Sequence, residues 1–300
     1  MAIAGVLVAV LTPFRPRDLS VDTEELENHV RFLMEHRVDG LFTCGTAGEG
    51  LLLSAEERKF VLASVLGACS GRLPVVAHVG HIDPQIACEL ADHAKHAGAA
   101  AVASVPPYYF PLDDEALLTY FEAVARAASP LPFYVYNYPE TTNNTVSAAL
   151  LETLIERIPN LEGVKDSSKH LDRFTEFLRA GPHLKAIVGS DALILASLRA
   201  GGAGVISTVA NVFPDAVVAL HRAWRSGDPG RAERLQQLVD EMRRSLKDGP
   251  YISMYKAALA LRGRRAAAVR PPLRELTAGE WERLREALGK LERLREKAMS

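Results

Sequence analysis

The chain has 300 residues, 48% of them hydrophobic, and a formal net charge of −2 at pH 7, so it can bury a large core in one large domain or two modest ones. The near-zero charge argues against nucleic acid and acidic membrane surfaces as partners. Cys44, Cys69 and Cys88 show no CxxC spacing, which argues against a disulfide framework and a cysteine-rich zinc site. The N-terminus lacks the features of a signal peptide and no long apolar run follows, so we expect a cytoplasmic protein.

Short apolar segments recur along the chain and predict eight β-strands. They cover residues 5–11, 40–44, 74–80, 100–105, 132–137, 161–165, 185–189 and 204–207. These segments lack the alternation of a half-exposed antiparallel sheet, and each is followed by a helical pattern. Asp22 with Glu25, and Ser54 with Glu57, have the spacing of capping boxes that begin helices. The pattern predicts an α/β fold, a (β/α)8 TIM barrel over residues 1–227, with a doubly wound sheet as the alternative.

The C-terminal part of the chain has a different pattern. Residues 228–300 are purely helical in pattern, and no linker rich in glycine, serine or proline precedes them. We therefore expect them to pack on the barrel as a helical appendix within a single structural unit. The alternating charges near the end are typical of a solvated helix face.

Two residues at predicted strand ends could carry chemistry, since catalytic groups of such barrels lie at the carboxyl ends of the strands. Lys165 ends the sixth strand, where burial would disfavour its ammonium form and make the amine nucleophilic. The alternative is a lysine paired with Asp166 at the barrel rim. Tyr136 ends the preceding strand, and its hydroxyl could exchange a proton with a substrate, or its ring could simply plug the barrel.

The stretch GTAGEG, residues 45–50, follows the second predicted strand. No lysine follows its last glycine and its spacing differs from GxGxxG, which excludes a P-loop and a dinucleotide fingerprint. Its backbone N–H groups and the Thr46 hydroxyl could bind a carboxylate. The alternative is a tight turn that needs glycine for its conformation.

The histidines raise the question of a metal. His78 and His81 flank the end of the third strand, and Glu89, His93 and His96 have helical spacing. A strand loop and an outer helix rarely bring such groups together, so we expect neither a metal nor another cofactor. A metal-dependent aldolase or hydrolase is kept as an alternative of a different class.

The motifs GTAGEG, LSAEER, PPYYF, YNYPETT, GVKDSS and VGSD, in this order along the predicted strand ends, resemble the dihydrodipicolinate synthase and N-acetylneuraminate lyase family. The resemblance implies a TIM barrel, a homotetramer built as a dimer of dimers, and a Schiff base between a lysine and pyruvate or a longer 2-oxo acid. It implies Lys165 as that lysine, Tyr136 as the proton-transferring tyrosine and Thr46 as the hydroxyl linked to it. Tyr109 matches a tyrosine that the family inserts into the neighbouring subunit's site.

Departures from the family pattern indicate a subclass. Members that make dihydrodipicolinate carry an arginine where this chain has Thr141, and members that act on phosphorylated sugar acids carry one where this chain has Leu112. The site therefore resembles that of the 2-keto-3-deoxygluconate aldolases, with a non-phosphorylated sugar acid as substrate. The alternatives within the family are a dihydrodipicolinate synthase and a 2-oxo sugar-acid dehydratase. A non-catalytic sensor of 2-oxo acids is the alternative outside it.

The resemblance also implies the substrate contacts. The Thr46 and Ala47 N–H groups would hold the substrate carboxylate, although Ala47 lacks the hydroxyl that many members have there. Small polar groups would face sugar hydroxyls, with Asp191 as a further hydroxyl partner. The expected substrate-binding residues are Thr46, Ala47, Thr141, Gly189, Ser190 and Ser207.

Overall fold

Eight parallel strands close into a barrel in the computed structural model, which describes residues 3–299. Each strand pairs with the next along the chain, and the last pairs with the first. The strands are β1 (Gly5–Ala9), β2 (Gly40–Thr43), β3 (Val75–His78), β4 (Ala101–Ser104), β5 (Phe133–Asn137), β6 (Leu161–Asp166), β7 (Lys185–Val188) and β8 (Gly204–Ser207). The predicted TIM barrel is confirmed, and the doubly wound alternative is wrong.

Helices cover the outside of the barrel and continue beyond it. They are α1 (Thr23–Glu35), α2 (Ala55–Cys69), α3 (Pro84–Ala97), α4 (Asp114–Ala128), α5 (Pro139–Thr142), α6 (Ala148–Arg157), α7 (Leu171–Ala180), α8 (Ile194–Arg199), α9 (Pro214–Arg225), α10 (Pro229–Ser245), α11 (Tyr251–Leu261) and α12 (Ala278–Met299). Ser54 and Glu57 form the predicted reciprocal capping box at the start of α2. At α1 the Asp22 carboxylate accepts from the Glu25 N–H, which is half of the predicted box.

The strands are buried almost throughout, because helices cover their outer faces and side chains fill the barrel. Their apolar runs therefore do not alternate with polar residues. Beyond the barrel, α10 packs against α9, and α12 packs against both α10 and α11. Within residues 3–299, no helix combines the length and the apolar character needed to cross a bilayer.

The pairing of β5 with β6 positions the residues that matter below. Tyr136 lies opposite Lys165 in the register, and Asn137 lies opposite Asp166. The Asn137 side-chain amide donates to Asp166 at 2.8 Å, and the Asn137 side-chain oxygen accepts from the Val146 N–H at 3.0 Å. These bonds tie the carboxyl ends of the two strands together, so the side chains of Tyr136 and Lys165 are held side by side.

Candidate active site

Lys165 lies at the centre of the candidate site. Its side chain enters the barrel from β6 and is only 4% exposed. The Nζ atom is 4.0 Å from the centroid of the Phe42 ring and 3.7 Å from that of the Tyr136 ring. Burial lowers the pKa of Lys165 well below its ordinary value, because the charged form loses its hydration. The environment therefore favours the neutral amine, which is the nucleophilic form.

The alternative of a rim ion pair between Lys165 and Asp166 is not supported by the geometry. Successive side chains of a strand point to opposite faces, so the two residues diverge. The Asp166 carboxylate accepts from the Asn137 amide at 2.8 Å and from the Ser168 hydroxyl at 2.8 Å. Asp166 thus fixes the strand ends and the turn after β6, while Lys165 faces the interior.

Tyr136 is buried next to Lys165 and is 3% exposed. Its ring meets Phe42 edge-on at 5.9 Å and stacks on Tyr138 at the same centroid distance. Burial raises the pKa of Tyr136, and hydrogen bonding to the hydroxyls of Ser167 and Thr46 opposes that rise only in part. The side chain is therefore a neutral phenol whose hydroxyl has two other hydroxyls as neighbours.

The turn of residues 45–50 depends on its glycines. A Cβ on Gly50 would lie 1.8 Å from the carbonyl oxygen of Cys44, and one on Gly48 would lie 2.7 Å from that of Val10. The Thr12 hydroxyl donates to the Gly48 carbonyl at 2.7 Å and holds the turn against the segment that follows β1. The tight-turn interpretation is therefore right about the need for glycine but not about its cause, because the glycines allow close packing while the left-handed φ values of 55° belong to Cys44 and Glu49.

The same turn presents unused donors to the cavity. Thr46 and Ala47 both line the cavity beside Tyr136 and Lys165. Within residues 3–299, neither the Thr46 nor the Ala47 backbone N–H donates a hydrogen bond. Buried N–H groups normally have an acceptor, so these two suit an anionic group of a bound molecule.

His78 and His81 are not arranged as metal ligands. His78 is buried, its Nδ1 lies 3.0 Å from the Cys44 carbonyl oxygen, and burial lowers its pKa well below the ordinary value. The Nδ1 of His81 accepts from the Asp83 N–H at 3.0 Å. In the part of the chain that the structure describes, no three His, Cys, Asp or Glu side chains are placed to share a metal ion. His78 instead supports the turn that begins after Cys44.

The cavity brings together most of the residues predicted for the site. The predicted residues that line it are Thr46, Ala47, Tyr136, Lys165, Gly189 and Ser190. Thr141 is exposed, and its hydroxyl donates to the Tyr138 carbonyl at 3.1 Å, outside the cavity. Ser207 is fully buried and donates its hydroxyl hydrogen bond to Asp191, which does line the cavity.

Tyr109 is placed away from this cavity. Its side chain is 76% exposed, the next residue, Phe110, is 59% exposed, and the two rings meet edge-on at 5.0 Å. Asn144 holds the segment by donating to the carbonyls of Pro107 and Phe110, each at 2.8 Å. Within one chain, Tyr109 therefore makes no part of the cavity around Lys165.

The profile of the dihydrodipicolinate synthetase family matches residues 2–291. The chain belongs to this family. It is 41% identical over 276 residues to an uncharacterized DapA-like lyase of Halobacterium salinarum, covering 92% of this chain and 90% of the relative. It is 35% identical to a 4-hydroxy-tetrahydrodipicolinate synthase of Methanopyrus kandleri, covering 96% of each. A catalytic lysine mutant of the sialic acid aldolase of Ruminococcus gnavus superposes with a TM-score of 0.94 at 27% identity, covering 98% of this chain and 97% of that one. The family consists of lyases, and a carbon–carbon lyase fits this membership.

Further polar residues line the cavity of this family member, and the sequence did not predict them for the site. Those from loops at strand ends are Tyr138, Ser167, Lys169 and Thr208, and those from the C-terminal region are Arg243, Lys247, Tyr251 and Tyr255. The first group follows predicted strand ends, a position that already marked candidate residues. The second group lies on or next to α10 and α11, and its only sequence signal is the four-residue spacing within each pair.

Three of these unpredicted residues are cationic. The Lys169 ammonium pairs with Glu140 on α5, and the Arg243 Nε is 3.8 Å from the Asp240 carboxylate. Burial lowers the pKa of Lys247, and the neighbouring positive charges of Arg243 and Lys169 lower it further. A bound anionic group would reduce the repulsion among these three positive charges and so stabilise them.

Proposed function

We propose that the protein is a Schiff-base-forming lyase, a class I aldolase that cleaves or condenses a 2-oxo acid to or from pyruvate and an aldehyde. The observation that carries this proposal is the buried amine of Lys165, held against the Tyr136 ring by adjacent strands in surroundings that lower its pKa. The sialic acid aldolase that superposes on this chain also has a catalytic lysine.

The proposed reaction begins with the substrate carboxylate on the free N–H groups of Thr46 and Ala47, which places the keto carbon beside Lys165. The neutral Nζ attacks that carbon to give a carbinolamine. The carbinolamine hydroxyl takes a proton from solvent and leaves as water, which leaves a protonated imine. This imine accepts the electron pair of the C3–C4 bond as that bond breaks, which gives an aldehyde and an enamine. Protonation of the enamine and hydrolysis release pyruvate and restore the lysine.

Tyr136 would move the proton that cleavage requires. As the C4 hydroxyl becomes an aldehyde, its proton must leave, and in condensation it must return. Because burial keeps Tyr136 a neutral phenol, its oxygen can accept that proton only while passing its own to a neighbour. We assign the neighbouring hydroxyls of Thr46 and Ser167 as the groups that receive it.

We propose 2-keto-3-deoxygluconate, or a similar non-phosphorylated sugar acid, as the substrate. Thr141 and Leu112 stand where arginines would serve a dicarboxylate or a phosphate. Ser190 and the Asp191 carboxylate line the cavity and offer hydrogen bonds to hydroxyls. Dihydrodipicolinate synthesis and dehydration of a sugar acid use the same imine and remain the alternatives within the family.

A second candidate substrate class is favoured by the cations that line the cavity. Lys169, Arg243 and Lys247 would stabilise a negative charge at the end of the substrate remote from the imine. A sugar acid with a terminal phosphate or second carboxylate has such a charge. The Arg243→Met variant separates the two, because it should raise the KM of a charged substrate about tenfold and leave that of the uncharged one nearly unchanged.

We further propose that Tyr109 completes the site of a second copy in a homotetramer. The exposed ring, with the exposed Phe110 beside it, is held at the surface by the side chain of Asn144. An exposed aromatic pair on an ordered segment is typical of an interface. Sedimentation of wild type and of the Tyr109→Ala variant, together with their turnover, tests this assignment.

Borohydride trapping tests the central proposal. Incubation with pyruvate and borohydride should add a stable mass to the peptide that contains Lys165, and the Lys165→Met variant should stay unlabelled. Lys185→Met is the matched control, because Lys185 is paired with Glu162 on the neighbouring strand, outside the cavity. Absence of label in the wild type would contradict the proposal, and chelator-sensitive turnover by Lys165→Met would favour the metal-dependent alternative.

A panel of 2-oxo acids and aldehydes, read by pyruvate release or consumption, then identifies the substrate. Label and thermal stabilisation without any product would favour the sensor.

A further inference from the structure

A buried ion pair lies behind the 45–50 turn. The Lys256 Nζ from α11 is 2.5 Å from a carboxylate oxygen of Glu49, and both side chains are fully shielded from solvent. The same Nζ donates to the Ala268 carbonyl at 2.8 Å and lies 4.1 Å from the centroid of the Phe14 ring. Neither charged residue lines the cavity around Lys165.

Glu49 is held at a second point by the C-terminal region. Its other carboxylate oxygen accepts from the Arg270 backbone N–H at 2.9 Å. A buried ion pair is often no more stabilising than apolar side chains of the same volume, because both charges lose their hydration. Such a pair does restrict position, because the carboxylate must remain next to both the Lys256 ammonium and the Arg270 N–H. The arrangement thus fixes Glu49 in space more firmly than apolar packing would.

The position of Glu49 determines the orientation of one peptide at the cavity wall. Glu49 has a φ of 55°, and its backbone N–H donates to the Thr46 carbonyl at 3.1 Å. That carbonyl and the Ala47 N–H belong to the same planar trans peptide, so they point in opposite directions. A shift of Glu49 therefore rotates the N–H of Ala47, a residue that lines the cavity.

We propose that Lys256 is a positioning residue for the reaction, which through its buried ion pair with Glu49 holds the Thr46–Ala47 peptide in the orientation that binds the 2-oxo acid carboxylate. This inference rests on the proposed function, since it needs that carboxylate to lie on the turn. It assigns to α11, which follows the barrel in the chain, a role in binding pyruvate without contact to it.

The test compares two charge-neutralising variants on the same C-terminal region. Lys256→Met keeps a side chain of similar length but leaves Glu49 buried and unpaired. Glu57→Gln is the matched control, because it removes the charge that pairs with the Arg270 side chain at 2.5 Å and leaves the Arg270 N–H bonded to Glu49. Both variants should lower the melting temperature. The measurements are the KM for pyruvate and the rate of borohydride trapping at Lys165, at a temperature where circular dichroism shows each variant folded.

We expect Lys256→Met to raise the KM for pyruvate about 10-fold to 100-fold and to slow trapping at low pyruvate. Glu57→Gln should stay within about twofold of wild type. The double variant Glu49→Gln with Lys256→Met removes both buried charges, so it should recover melting temperature while its KM stays raised. That separation of stability from KM is a result that a merely structural pair would not produce.

Two results would overturn the inference. One is a KM and trapping rate of Lys256→Met within twofold of wild type, and the other is an equal rise of KM in Glu57→Gln at a matched loss of melting temperature. If Lys256→Met does not fold, Glu49→Gln and the double variant decide by the same criteria. The wild type is trapped first, and failure to label Lys165 there would refute the proposed function and not this positioning role.

Discussion

Replacing Tyr136 by phenylalanine separates imine formation from bond cleavage. The substitution removes one oxygen and keeps the ring, which meets Phe42 at 5.9 Å and lies 3.7 Å from the Lys165 Nζ. The surroundings that make Lys165 nucleophilic should therefore persist. The lost group is the hydroxyl that has the Ser167 and Thr46 hydroxyls as neighbours and that we assign to proton transfer.

The expected magnitudes differ for stability, imine formation and turnover. Loss of a buried hydroxyl with polar neighbours should cost no more than about 1 kcal/mol of unfolding free energy. Loss of a positioned general acid–base group lowers a rate by about 100-fold to 10,000-fold, or about 3–5 kcal/mol in the activation free energy. Since the proton that the imine step requires can come from solvent, trapping should change by no more than about threefold.

The assay measures pyruvate release and borohydride trapping on the same preparation of Tyr136→Phe. Tyr134→Phe is the control, because Tyr134 lies two residues earlier on β5, is buried, and has a hydroxyl without a hydrogen-bond partner among residues 3–299. It should leave both rates unchanged. Turnover of Tyr136→Phe within about threefold of wild type would refute the assignment, as would loss of trapping in parallel with turnover.

Two further outcomes can be measured directly. Thr46→Ala should lower turnover markedly because it removes a hydroxyl next to Tyr136, whereas Ala47→Thr should be tolerated; equal activity of Thr46→Ala and wild type would leave the turn a purely structural feature. Burial lowers the pKa of His29 from 6.5 to about 4, so between these pH values His29 binds a proton in the unfolded chain but not in the folded one. The free energy of unfolding should therefore fall as the pH drops from 6.5 to about 4. The loss should reach about 3 kcal/mol in urea unfolding and should shrink in His29→Gln, which can still bond Asn211; an equal loss in both proteins would contradict this.

The barrel was predictable because its signals are local. Each strand is a short apolar run. A barrel strand is buried on both faces, so polar residues do not interrupt that run. The strand ends then located Lys165 and Tyr136, since parallel strands deliver their carboxyl ends to one face. Their adjacency follows from β5 pairing with β6 in chain order.

Side-chain direction was harder to predict than position. Ser207 and Thr141 both lie near the carboxyl ends of strands, yet Ser207 is fully buried against Asp191 and Thr141 is exposed on α5. Proximity to a strand end places a residue on the right face of the barrel. It does not decide whether the side chain points into the cavity, behind it or out to solvent, since packing of the loops decides that.

The contribution of the C-terminal helices could not be predicted from the sequence. Arg243 and Lys247 have the helical spacing of an ordinary solvated face, and nothing in the pattern shows that this face lies over the barrel. The contact depends on how α10 docks against α9 and the turn after β7, which involves residues far apart in the chain. Such docking is a tertiary effect and leaves no local periodicity to detect.

The two sources of cavity residues have different consequences for function. Lys165 and Tyr136 lie on paired strands, where a change of register would disrupt the barrel, so the positions of the lysine and of the tyrosine that we propose as its proton-transfer partner are fixed by the fold. Arg243 and Lys247 belong to the C-terminal helical region, where side chains can change without altering the pairing of β5 with β6. Family membership therefore constrains the chemistry at Lys165 more tightly than the substrate. Lyases with different substrates can share this barrel, because side chains on the strand-end loops and on the C-terminal helices can change without altering the strand pairing.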